Sequence, residues 1–290
     1  MSRWYDSVVD GSIVYIRCQG TVEIYSYDIT GDSWSQLPDC VHENGSIAVI
    51  NGCLTTVGGG SYPYYSNELF SLTGKGSGWK WTRQFPPMPT KRRFTTSLCT
   101  GTALIVAGGQ GGSARVLLTV EVMNIKTYQW STPADLPQPM YFASATICGD
   151  QLYMLGGSSK DFNSIKSVYT CSVSTLLHSC VKHSQQKRAA SAYKDSVWGQ
   201  VADLPVKRST FESCHGRLLT IGGKMDSGKH TTAVHMYNST TNSWEIISHM
   251  IIGRRDCFTA ILPDNQLRVV EGMTDGDLTD TVELASVSCV

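Results

Sequence analysis

Three adjacent basic sets stand at corresponding places in the chain, Lys91-Arg92-Arg93, Lys207-Arg208 and Arg254-Arg255, with Arg3 alone near the start. Each set leads into a short β-type run, at residues 94–99, 209–214 and 256–261. Guanidinium groups grip carboxylates and phosphates through two parallel N–H···O bonds, so these residues brought together would hold an acidic or phosphorylated peptide. Tyr62, Tyr64, Tyr65 and Tyr141 lie in loop-like stretches and would add the amphipathic contact area that binding hot spots use. A different chemistry is open to Cys171, His178, Cys180 and His183, whose side chains can ligate tetrahedral zinc. Their spacing is irregular and no C-x-x-C occurs in the chain, so the reading taken is no metal and no cofactor. No nucleophile with a paired base and no phosphate-binding glycine loop stands out, which points away from an enzyme.

The 290 residues carry 24 Lys+Arg against 24 Asp+Glu, a formal charge of zero. Nucleic acid and anionic membranes draw on a basic surplus, so neither is expected as a partner. The N-terminus lacks the basic and apolar regions of a signal peptide, and the longest apolar runs span about seven residues where a membrane crossing needs roughly 20. Ten cysteines in a chain long enough to build a large core read as small core residues in a reducing compartment. The expected location is the cytoplasm.

What must position the basic sets is a repeat. Four apolar runs end in a glycine pair, at Gly58-Gly59, Gly108-Gly109, Gly156-Gly157 and Gly222-Gly223. Two degenerate runs join them, residues 266–272 keeping one glycine and residues 12–18 putting Arg17 and Cys18 where the pair would be. Each run follows another β-type run across a turn such as Asn51-Gly52, which favours a hairpin. A third run follows the glycines, and a fourth is marked by Trp34, Trp81, Trp130, Trp198 or Trp244. Leu-Pro pairs at residues 37–38, 136–137 and 204–205 end fourth runs, since proline cannot donate to a ladder. Units of about 50 residues with four strands cannot bury both faces alone, and six stacked radially can.

An apolar strand ending in Gly-Gly, a third β-run and a Trp before Leu-Pro resembles the kelch repeat, and the likeness spans essentially the whole chain. It implies an all-β, six-bladed propeller of four antiparallel strands per blade, as a single domain over residues 1–290. Blades are expected at about 1–40, 41–88, 89–138, 139–206, 207–250 and 251–290. A polar insertion at about 174–195 reads as a long loop between the third and fourth strands of blade four. The last blade reads as stopping after its third strand, so that either it has three strands or the chain is cut from something longer, the second being preferred. The resemblance further implies that the eight paired glycines are structural, that the five tryptophans pack between blades, and that loops on one face bind partners. On that face Arg3, Arg92, Arg93, Arg208, Arg254, Arg255, Tyr62, Tyr64 and Tyr141 are the candidates for contact.

The implied function is a non-catalytic protein-interaction module. The likeness to kelch substrate adaptors adds recruitment of a target to a cullin-type ubiquitin ligase, through BTB and BACK domains that residues 1–290 do not include. The alternatives are an actin- or cytoskeleton-binding scaffold and a metal-dependent kelch oxidoreductase. Against the latter, the seven histidines fall in unrelated registers, and the iron-site pattern E-x-x-x-D-x-x-x-H finds only Glu271, Asp275 and then Thr279.

Overall fold

A computed structural model describes residues 5–18, 20–161, 163–185, 197–207, 210–214, 217–225, 227–255, 257–261, 266–270, 272, 274 and 282–286. The first sheet joins β1 (Tyr5–Asp10), β2 (Ile13–Cys18), β3 (Ile24–Asp28) and β4 (Ser33–Gln36) in sequence order. The second holds β5 (Ser46–Ile50), β6 (Cys53–Ser61), β7 (Tyr64–Thr73) and β8 (Lys80–Thr82), and the third β9 (Thr96–Cys99), β10 (Ala103–Ala107), β11 (Val120–Asn124) and β12 (Trp130–Ser131). The fourth holds β13 (Ser144–Cys148), β14 (Gln151–Leu155), β15 (Val168–Ser172) and, after α1 (Val173–Gln185), β16 (Gly199–Val201). The fifth is β17 (Thr210–Cys214), β18 (Arg217–Ile221), β19 (Ala233–Asn238) and β20 (Ser243–His249). A last sheet has three described strands, β21 (Phe258–Ile261), β22 (Gln266–Val270) and β23 (Val282–Ser286).

All neighbours within a sheet are antiparallel. First strands touch in the order β1, β5, β9, β13, β17, β21, and β21 returns to β1, closing a ring. This is a β-propeller, with first strands innermost and fourth strands outermost. Its core lies in layers between blades: Leu104, Val106 and Met123 of the third sheet pack on Ile50, Val57 and Leu69 of the second. Such burial is worth about 1.5–3 kcal/mol per large apolar side chain, and it exists only because neighbours stack.

The glycine pairs are seams. Gly108 has φ +62°, and a Cβ there would stand 2.4 Å from the Met140 carbonyl oxygen of the next blade. Gly109 has φ +94°, a Cβ there would meet the Arg93 carbonyl of its own blade at 2.7 Å, and its N–H donates to Met140 O at 2.8 Å. Backbone from two blades therefore crowds both α-carbons, and the left-handed conformation excludes other residues cheaply. In the first sheet, which lacks the pair, the fully buried Arg17 reaches across instead and donates through Nη2 to the His42 carbonyl.

Three tryptophans strap their blade to the one before. Trp81 Nε1 donates to Pro38 O at 3.1 Å, Trp130 Nε1 to Pro86 O at 3.2 Å and Trp244 Nε1 to Ala202 O at 3.1 Å. Trp198 is buried, while Trp34 stays 48% exposed.

The insertion departs from the expected loop. Residues 173–185 form α1, whose Val173, Leu176, Leu177 and Cys180 recur at helical spacing and lie in or against the core between the third and fourth sheets. The Ser172 hydroxyl accepts from Thr175 N–H and Asp150 Oδ1 from Ser174 N–H, so the start of the helix is capped. Residues 186–196 lie outside the described residues.

Candidate protein-interaction face

Antiparallel order puts the loop after each second strand and the loop entering each first strand at the same end of the blade. The two loops are stitched by isolated bridges that repeat from blade to blade: Arg93 with Gln110, Tyr141 with Ser158, and Lys207 with Lys224. This end is the face on which the basic sets were expected.

The structure splits the arginine pairs. Arg92 is fully buried and donates to Gly108 O at 2.9 Å and Thr119 O at 3.1 Å, with Glu121 Oε1 2.9 Å from its Nη2. Arg254 is also fully buried and pairs with the buried Glu283. Both hold the entering loop onto the third strand of their own blade, so contact with a partner is ruled out by burial, and these two assignments are corrected. Burial pulls the Arg92 guanidinium below its ordinary value and Glu121 opposes the shift. Tyr141 is likewise corrected: it is 4% exposed and packs at 5.0 Å on Phe142.

Arg93 and Arg255, one position further on, are half-buried at the rim. Arg93 donates from Nε and Nη2 to Gln110 Oε1 at 3.2 and 3.1 Å, and its guanidinium carbon lies 5.0 Å from the Tyr65 ring centre and 4.5 Å from that of Phe94. Arg255 Nε donates to His230 Nε2 at 3.2 Å. Tyr62 and Tyr64 are 65% and 84% exposed. Phe94 and Phe142 have φ +52° and stack 4.2 Å apart, with Phe142 N–H donating to Phe94 O at 3.2 Å and Phe94 N–H to Asn44 O at 2.7 Å. Arg3 and Arg208 lie outside the described residues. The sequence reading singled out Tyr65 but missed Phe94, Gln110 and His230 as rim residues, although their recurrence beside the basic sets and glycine pairs was a usable signal.

Elsewhere the reactive groups are muted. Burial pushes the Cys148 thiol up to about 11 and Cys171 up to about 12, which keeps both protonated near neutrality. Cys171 sits in the core while His178 is exposed on α1 with Nδ1 against Ser174 O at 2.6 Å, so the two are parted. Among the described residues no three His, Cys, Asp or Glu side chains are grouped to hold a metal.

Comparison with known proteins agrees with this architecture. The family model described as the KLHDC2/KLHL20/DRC7 Kelch-repeats domain matches residues 44–269. The chain belongs to the kelch-repeat family. Kelch-like protein 25 of Xenopus tropicalis is 23% identical over 252 residues, 78% of this kelch chain and 36% of the relative. Kelch-like protein terF of Aspergillus terreus is 26% identical over 149 residues, 48% of this chain and 32% of the relative. The chain thus spans about a third of the length of these curated relatives. The solved structure of YjhT superposes with a TM-score of 0.76 at 15% identity, covering 99% of this chain and 95% of the other, a likeness of fold. Kelch propellers suggest protein-interaction modules, and among the described residues no helix is long and apolar enough to cross a membrane.

Proposed function

We propose that this kelch domain is a non-catalytic interaction module, a single six-bladed propeller in which the three-stranded sheet counts as the sixth blade. It binds a partner protein through an acidic segment, at the face carrying Arg93, Lys207 and Arg255. The observation that carries this reading is Arg93: its guanidinium is braced by Gln110 and flanked by Tyr65 and Phe94, so its remaining N–H groups are held rather than floppy. A braced guanidinium loses less side-chain entropy on gripping a carboxylate than a free one. Tyr62 and Tyr64, exposed beside it, supply apolar area around the charge contact. The wider role follows the adaptor likeness: a cytoplasmic substrate receptor of a cullin-type ubiquitin ligase, with BTB and BACK domains outside residues 1–290.

The test is binding of an array of acidic, neutral and basic peptides to the wild type and to Arg93→Glu with Arg255→Glu. Acidic peptides should bind wild type selectively, weaken with salt, and lose at least tenfold in affinity in the double variant while its melting temperature holds. Equal binding by the double variant would sink the reading. Co-precipitation with a cullin by the full-length protein tests the ligase role, and filament cosedimentation in its place would favour the cytoskeletal alternative.

A further inference from the structure

Entry to the first strands repeats one backbone turn. Asn44, Phe94 and Phe142 each stand two residues before β5, β9 or β13, with φ +60°, +52° and +52°. Their backbones link blade to blade, Phe94 N–H donating to Asn44 O and Phe142 N–H to Phe94 O. The next residue, Gly45, Thr95 or Ala143, lies so close to the second seam glycine that a Cβ at Gly59, Gly109 or Gly157 would stand 2.9–3.1 Å from its backbone. The fold thus fixes the left-handed turn, and asparagine, as at Asn44, adopts it cheaply.

Phenylalanine adopts the same turn under strain. Among the described residues neither ring joins the apolar clusters between blades, so core packing does not offset that strain. Both rings stay half-buried on the basic face instead. They lie 4.2 Å apart, inclined at 41°, with Tyr141 5.0 Å from Phe142 and 6.2 Å from Phe94. Beside them the Arg93 guanidinium carbon is 4.5 Å from the Phe94 ring centre, and its Nε and Nη2 are braced on Gln110. Strain held on a surface beside a fixed charge is the pattern of a ligand contact rather than of a fold contact.

We propose that Phe94 and Phe142 form a subsite for one aromatic side chain of the partner, two residues away from the carboxylate that Arg93 grips. The inference rests on the acidic-segment reading of this face and adds what must stand beside the acid. Alternate side chains of an extended chain share one face roughly 6.5–7 Å apart. The spacings of 4.5 Å from guanidinium to Phe94 and 4.2 Å on to Phe142 put the ring pair within that step. An aromatic ring gains offset or edge contact with the pair beyond the area it buries, whereas an aliphatic side chain gains area alone. Arg93 repels a basic side chain at the same place. The occupant is therefore an acidic segment reading acid-x-aromatic or aromatic-x-acid.

The experiment titrates fluorescein-labelled nonapeptides into the 290-residue protein and follows anisotropy. Their centres are Glu-Gly-Phe, Glu-Gly-Leu, Glu-Gly-Ala and Gln-Gly-Phe, each also in reverse order. In the better order the Glu/Phe peptide should bind about threefold tighter than the Glu/Leu peptide and about tenfold tighter than the Glu/Ala and Gln/Phe peptides. In Phe142→Asn the preference for Phe over Ala should fall to about twofold or less while Tm holds or rises, because the strain is relieved. A ring that only supports the fold would lower Tm and keep the preference, which overturns the proposal. Tyr128→Asn makes the same exchange at another positive-φ aromatic, between β11 and β12 at the opposite end of the blade, and should leave the preference unchanged. Should Phe142→Asn fail to fold, a para-fluorophenylalanine peptide bound to wild type replaces it. Nuclear Overhauser contacts from its fluorine to the Phe94 and Phe142 ring protons are expected, and their absence at saturation overturns the subsite. Equal affinities of the Phe and Ala peptides, both lost in Arg93→Glu with Arg255→Glu, would remove the aromatic subsite and leave the acidic reading standing. Binding by none of the carboxylate peptides would remove both.

Discussion

Arg92 and Arg93 share a side chain and differ in everything around it. Arg92 places its charge against Glu121 with both groups out of water, so truncating it strands a carboxylate. Arg92→Ala should cost about 3–5 kcal/mol in urea unfolding, the range for breaking one half of a buried pair. Arg93→Ala, at the half-buried rim, should cost under about 1 kcal/mol and act on binding instead. Equal losses for the two variants would contradict the assignment. The doublets were legible in the sequence, but which member turns inward was not: that follows from register, which aims Arg92 at Gly108 O and Thr119 O. Asp6 shows the reverse balance. Protein surrounds it although it keeps some solvent contact, and desolvation raises its carboxyl from 3.8 to about 6 despite Arg17 opposite it and a 2.8 Å bond from Ile47 N–H. Between pH 4 and 6 the folded protein retains a proton that the unfolded chain has released, so stability falls as pH rises through that window and levels off above it. Asp6→Asn, able to keep the Ile47 bond, should remove about 1–3 kcal/mol of that decline, read from urea midpoints across pH 4–7. An unchanged pH profile would show that Asp6 titrates normally.

At the scale of elements, the repeat was readable because its signals are forced: a seam that excludes any Cβ must write glycine, and a strap that needs an indole N–H must write tryptophan. Helix α1 wrote a weaker signal. Among the described side chains its apolar face is Val173, Leu176, Leu177 and Cys180, two turns set in polar and basic surroundings, and it follows β15 without a break. Short helices are marginal in water, and this one draws its stability from docking. Leu176, fully buried between the third and fourth sheets, should therefore behave as a core residue: Leu176→Ala is expected to cost about 2–4 kcal/mol. The exposed Thr175→Ala should lie within about 0.5 kcal/mol of wild type. A loop only resting on the surface would give small effects for both, and that outcome in thermal unfolding would remove the helix from the fold's stability.

For the whole molecule, the straps run in both directions around a closed ring. Indole N–H groups reach back to the preceding blade at Trp81, Trp130 and Trp244, and second-glycine amides reach forward, Gly59 N–H to Arg92 O at 2.9 Å, Gly109 N–H to Met140 O at 2.8 Å and Gly223 N–H to Arg254 O at 2.8 Å. In an open array of repeats, stability is a sum of units and neighbour interfaces, and ends can fray independently. Contact between β21 and β1 removes the free ends, so losing one blade exposes the apolar faces of two others. Unfolding should then be a single cooperative transition despite the chain's 290 residues. Leu104→Ala, between the second and third sheets, and Leu267→Ala, between the fifth and sixth, are each expected to cost about 2–5 kcal/mol. Both should lower the same calorimetric peak without splitting it, with calorimetric and van't Hoff enthalpies in agreement. A Leu267→Ala protein that melts in two steps, its last sheet first, would mean that closure through β1 and β21 does not couple the ring.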